Sequence, residues 1–210
     1  IAGFDTVWVA PPDSGLNGSV HSLHDDEVGG SFTGNATGTK VLRGLATWTD
    51  PPSNAWTEAY GGLNGPVRAI DEENSSAIRI GGSFTLGYQG SLVLNRVGMF
   101  DNPNFEPAPN SGLSDQVNAI ECFTPPNGSF NGAEEVCFYG GKFSKSGDLG
   151  VELNGIAVYE LGNPLFTGSL GGTSISLSSP GLIGGTALNN AVNAMATDAG
   201  GNIYVGGVFT

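Results

Sequence analysis

Short runs of alternating polar and apolar residues recur along this chain, and each occupies the same place in a longer phrase. The run Val67-Arg68-Ala69-Ile70 has counterparts in Val117-Asn118-Ala119-Ile120 and Val192-Asn193-Ala194-Met195, with Val20-His21-Ser22-Leu23 as the variant. Each is preceded by Leu-Asn/Ser, at Leu16-Asn17, Leu63-Asn64, Leu113-Ser114 and Leu188-Asn189. Alternation over so few residues, opened by a turn, predicts a β-strand. A second apolar run, such as Ile78-Arg79-Ile80 or Ile203-Tyr204-Val205, predicts its hairpin partner. That run ends in Gly-Gly-x-Phe-Ser/Thr at Gly29–Thr33, Gly81–Thr85, Gly140–Ser144 and Gly206–Thr210.

A third alternating element opens sixteen positions after the first glycine in each unit, at Leu45, Val97 and Ile156. The same element starts the chain as Ile1-Ala2-Gly3-Phe4-Asp5. A fourth, looser segment follows, clearest in Val7-Trp8-Val9 and Trp56-Thr57-Glu58-Ala59-Tyr60. A period of about 50–65 residues carrying four short strands predicts an all-β chain of β-propeller blades, which bury their faces only by stacking. Phe32, Phe84, Phe143 and Phe209 are the expected repeat core between blades. Gly-Gly is expected where a strand bends and another backbone comes close.

The phrase G-L-N-G-x-V, then G-G-S-F-T, then I/L-A-x-W/F-D resembles the kelch-like propeller repeats of secreted and cell-surface proteins. These include galactose-oxidase-type central domains and fungal cortical-marker ectodomains. The resemblance covers the chain outside about 163–187, a Gly/Ser/Thr-rich insertion containing the alternating Ile175-Ser176-Leu177. It implies one propeller domain over 1–210. Segments 16–62, 63–112 and 113–187 are expected to form three blades, and 1–15 with 188–210 a fourth, closed by pairing between the two ends. A segment of a larger propeller, cut from a longer precursor, is the rival expectation. The copper-radical oxidases that share such propellers use a Tyr and His set with a Tyr–Cys crosslink, and no catalytic residue carries over to this chain.

Twenty acidic against seven basic residues give a net charge of −13. Without a Lys/Arg stripe, nucleic acid is excluded as an expected partner. No apolar run reaches the length of a membrane span. Aligned on the repeat, Cys122 takes the place of Thr197 and Cys137 that of Ile203, facing each other across a hairpin. A disulfide there is expected, worth about 3 kcal/mol by the entropy of the loop it closes. It points to an oxidising compartment, extracellular or at the cell surface. Four N-glycosylation sequons, at Asn17, Asn35, Asn74 and Asn127, agree with that placement.

Candidate chemistry is sparse. Acidic hairpin tips carry Asp25-Asp26-Glu27, Asp71-Glu72-Glu73, Glu134-Glu135 and Asp198. On one rim, Asp25, Asp26, Asp71 and Glu72 form a candidate oxygen-rich Ca²⁺ site without the ligand spacing of a dedicated calcium loop. Solvated hairpin tips are the plainer expectation; no other cofactor is expected. His21 and His24 lie three apart on a strand, where alternation sends them to opposite faces. No Gly-x-Ser-x-Gly elbow accompanies the serines. The expected function is a non-catalytic structural or protein-interaction module of a larger secreted glycoprotein, with other proteins or further copies of itself as partners. A carbohydrate-binding or carbohydrate-active propeller is the alternative. Trp8, Trp48 and Trp56 are spaced along strands and read as packing residues.

Overall fold

The structure, a computed structural model, describes residues 12–49, 53, 55–73, 77–87, 90–101, 104–124, 136–160, 163–167, 169–170, 173–174, 188 and 190–209. It is all-β, with only two short 3₁₀ turns, Pro12–Ser14 and Pro109–Ser111, among the described residues. Three four-stranded antiparallel sheets follow one another along the chain. The first runs β1 (Val20–His24), β2 (Glu27–Gly30), β3 (Leu45–Thr49) and β4 (Ala55–Glu58) in spatial order. The second holds β5 (Val67–Glu73), β6 (Ala77–Gly82), β9 (Val97–Asp101) and β10 (Asn104–Pro107), and the third β11 (Val117–Phe123), β12 (Val136–Gly141), β13 (Ile156–Glu160) and β14 (Asn163–Thr167). A fourth sheet is the hairpin of β17 (Val192–Thr197) and β18 (Ile203–Gly207).

The constant sixteen-residue spacing has a structural cause. Between the second and third strands of each sheet the chain makes a small side hairpin. In the second sheet this is β7 (Leu86–Gly87) on β8 (Leu92–Val93). In the first and third it shrinks to the bridges Gly34–Val41 and Lys145–Glu152. The return to the third strand passes through residues at positive φ: Gly44 at 76°, Arg96 at 74° and Gly155 at 86°. Arginine holds in the second sheet a left-handed position that glycine holds in the other two. Another small hairpin, β15 (Ser169–Leu170) with β16 (Thr173–Ser174), follows β14. The fourth strand of the third sheet therefore occupies the start of the segment expected to be an insertion. Ile175–Leu177 lie outside the described residues.

The sheets pack through their first strands, β1 against β5, β5 against β11 and β11 against β17. The two glycines of each Gly-Gly divide the work of this packing. A Cβ on the first would lie 2.5 Å from a valine Cγ1 of the next sheet: Val67 above Gly29, Val117 above Gly81, Val192 above Gly140. A Cβ on the second, at Gly30, Gly82, Gly141 or Gly207, would strike a backbone carbonyl of its own sheet, from Ser19, Pro66, Gln116 or Ala191. That close approach accompanies a β-bulge just after the valine in β1, β5, β11 and β17 alike. Val67, Val117 and Val192 are wholly buried as a result.

Phe32, Phe84 and Phe143 are at most 1% exposed. Phe84 shares a cluster with Leu45 of the first sheet and Val67, Ile70 and Ile80 of the second, so the core lies between sheets. Phe209 departs from the expectation: it is only half-buried, packed at the edge of the Val136–Val192 cluster.

The expected closed ring of four is corrected by the two outer faces. Val20 is 45% and Leu23 70% exposed, although their counterparts Val67 and Ile70 are buried. At the other end, a Cβ on Gly206 would have nothing nearer than the Ala194 carbonyl oxygen at 3.9 Å. Pairing of 1–15 with 188–210 rests on residues 1–11, which lie outside the described residues.

Candidate functional site

The strongest concentration of polar groups lies along the first strands, where each sheet meets the next. His24, Asp71 and Glu121 hold one repeat position, opposite Glu27, Arg79 and Phe138 in their respective hairpins. Each reaches to the following sheet, one residue further along its first strand. His24 Nε2 lies 3.1 Å from Glu72 Oε2. Asp71 Oδ2 accepts the Cys122 backbone N–H at 2.7 Å. Glu121 Oε1 accepts both the N–H and the hydroxyl of Thr197, at 2.9 and 2.6 Å. Ser22 adds another tie, its Oγ accepting the Ile70 N–H at 3.0 Å. These contacts consume rim groups that the sequence presents as free carboxylates.

Burial pushes the Asp71 carboxyl above the ordinary carboxylate range, although the N–H groups of Cys122 and Glu72 pull it down. Nearby, the Arg79 guanidinium, almost wholly buried, stands 5.1 Å above the ring of Tyr159 in the next sheet. Tyr60, at the end of the first unit, stacks on Phe100 of the second and donates its hydroxyl hydrogen to Glu27 Oε1 at 3.1 Å. Burial, followed by the Glu27 charge, raises its pKa.

The candidate Ca²⁺ set does not assemble as expected. Among the described residues, the three ligand side chains that converge are His24, Asp25 and Glu72, their ligating atoms all within 4.8 Å of one another. Asp26 is outside this group, and Asp71 is engaged with Cys122 and Glu72 N–H groups. An imidazole with two carboxylates suits a transition metal better than Ca²⁺, which takes oxygen ligands. As alternation requires, His21 points elsewhere, its Nε2 2.7 Å from Ser31 Oγ. Glu134 and Glu135 lie outside the described residues.

Asp198 is a turn-former. Its carboxylate accepts the N–H groups of Gly200 and Asn202, the Asn202 amide and the Tyr204 hydroxyl. The Asn202 side chain and backbone N–H contribute most to holding its pKa down at about 2. A depressed carboxyl favours the folded state above its ordinary pKa of 3.8, and that contribution is lost as pH falls through about 2. An NMR titration of the Asp198 carboxyl is expected to show a midpoint near 2 in the native chain. In Asn202→Ala the midpoint should rise toward the ordinary value; an unmoved midpoint would refute the assignment.

The sequons divide. Asn35 is a correction: its side chain is wholly buried, with Oδ1 accepting the Lys40 N–H and Nδ2 donating to Thr37 and Thr39. A glycan on that nitrogen has no room in the folded state. Asn17 is exposed, yet its Oδ1 accepts the N–H groups of Thr33 and Gly34 while Nδ2 donates to Thr33 Oγ1. Asn64, which is not in a sequon, makes the same contacts with Thr85 and Leu86. The Leu-Asn motif is therefore a staple between the segment before the first strand and the start of the side hairpin. Comparing the Thr33 and Thr85 positions with Asn17 and Asn64 could have revealed it. Asn74 and Asn127 lie outside the described residues.

Cys122 and Cys137 are directly paired in the β11–β12 register and form a disulfide. Trp48 and Trp56 are cross-strand neighbours, edge to face with centroids 5.1 Å apart. Trp56 is buried and Trp48 half-buried, while Trp8 lies outside the described residues. Among the described residues, no helix is long and apolar enough to cross a membrane. The chain matches no family model, and no curated protein resembles it closely enough to count as a match.

Proposed function

We propose that the chain is a non-catalytic, propeller-type module of kelch-like blades that serves structure or protein interaction within a larger secreted glycoprotein. The observation that carries this reading is the repeated polar joint. His24, Asp71 and Glu121, side chains of the kind that could do acid–base work, are instead engaged in binding one sheet to the next. Stacking through the first strands, with a bulge and a Val-on-Gly contact at each junction, supports the propeller arrangement. The disulfide supports an extracellular location. The partners are other proteins or further copies of the chain.

The carbohydrate reading has one supporting observation, the part-exposed Trp48 ring beside Trp56. A glycan array on the purified chain decides between the readings. The structural module is expected to give no sugar signal. Reproducible binding that disappears in Trp48→Ala would replace it with a carbohydrate-binding function.

A further inference from the structure

The two outer faces of the sheet stack are the separated halves of one more joint. Every internal joint is made in the same way. The valine opening a first strand and the apolar residue three positions on sit over the first glycine of the preceding sheet. Val67 and Ile70 cover Gly29, Val117 and Ile120 cover Gly81, and Val192 and Met195 cover Gly140. In each case the second residue also lies about 3 Å from the space a Cβ would fill, at 3.0 Å for Ile70, 3.1 Å for Ile120 and 3.1 Å for the Met195 sulfur. The first sheet offers the same pair, Val20 and Leu23, but to solvent.

At the opposite end, Gly206 holds the repeat position of Gly29, Gly81 and Gly140, and the space above it is open. Strand alternation puts Tyr204 and Val208 on the same face as Gly206. Tyr204 is 60% and Val208 56% exposed. The equivalent of Tyr204 in the third sheet, Phe138, is buried in the cluster that contains Val192. One face thus carries the knobs of the repeated joint and the other its socket.

We propose that a second copy of this chain docks head to tail, seating its Val20 and Leu23 over Gly206 of the first copy, with Tyr204 and Val208 completing the contact. This rests on the propeller-type stacking reading and extends it to the surface that stacking leaves uncovered. The occupant is identified by the fold itself, since the joint is already formed three times within one chain. A second copy is favoured over self-closure because Val20, Leu23 and Gly206 are all uncovered in the single chain. The contact is heterologous, so it propagates into an open chain of copies or closes into a ring of them. Ala196 stands where Asp71 and Glu121 make their polar ties, so this joint is apolar where the internal ones are reinforced.

The test is disulfide trapping of the 210-residue chain carrying Val20→Cys and Gly206→Cys. Oxidation is expected to produce a reducible ladder of dimers and higher multimers, with a 20–206 crosslink located by peptide mapping. A crosslink confined to the monomer would overturn the proposal in favour of closure within one chain. No crosslink at all would overturn it as well. Gly81→Cys with Val117→Cys serves as the internal reference. If that pair also fails to bond, the stacking reading falls; if it alone bonds, only the docking proposal falls. Sedimentation of the unmodified chain reads the same contact without cysteines. Association that increases with concentration and is lost in Leu23→Asp is expected, and a native chain that stays monomeric throughout would overturn the proposal.

Discussion

Truncating Phe84 to alanine is expected to destabilise the chain by about 3–5 kcal/mol, read by urea unfolding. Its ring is wholly buried among Leu45, Leu63, Val67 and Ile80, side chains drawn from two sheets and the segment between them. The backbone of Gly65 also lies against its Cα, and a Cβ on Gly65 would come within 3.0 Å of that atom. With glycine on one side and strand on the other, the site has little means of collapsing into the cavity. Phe209→Ala provides the comparison: its ring is only half-buried, so the same truncation should cost distinctly less. Equal losses at the two positions would mean that the Phe84 site does not lie at a sealed junction.

Gly81→Ala should cost about 1–3 kcal/mol through overpacking, because the added methyl meets Val117. The contact is with a side chain, at 2.5 Å from Cγ1, so it can be relieved from the other partner. In Gly81→Ala with Val117→Ala, the combined loss is expected to be smaller than the sum of the single losses, by about 0.5–3 kcal/mol of coupling. Gly82→Ala is the contrasting case, since its methyl strikes the Pro66 backbone carbonyl. Pairing it with Val117→Ala should give simple additivity. Coupling at Gly82 but not at Gly81 would reverse the roles assigned to the two glycines.

Much of this architecture was legible because the repeat compares each strand with three others. Alignment on Val117 and Val192 put Cys122 opposite Cys137, and the β11–β12 register pairs them directly. Strand periodicity separated His21 from His24, and their partners lie on different elements. The side hairpins were not legible. Two of the three reduce to one bridge each, too short for any alternation to register. β14, Asn163–Thr167, was read as insertion because its composition does not resemble β4. Asn35 kept the appearance of a sequon because the threonines that satisfy the acceptor rule and bury the side chain are local neighbours. The roles of Asp71 and Glu121 depend on the stagger between adjacent sheets, which no single strand encodes.

That stagger also sets how the molecule responds to load. Within a sheet, neighbouring strands share backbone hydrogen-bond ladders; between sheets, the described ties are apolar contacts and a few side-chain bonds such as Glu121 to Thr197. Tension applied along the stack therefore parts one sheet from the next before it unravels any strand. Each rupture then leaves an intact β-sheet able to re-engage, so that the chain extends in discrete, recoverable steps.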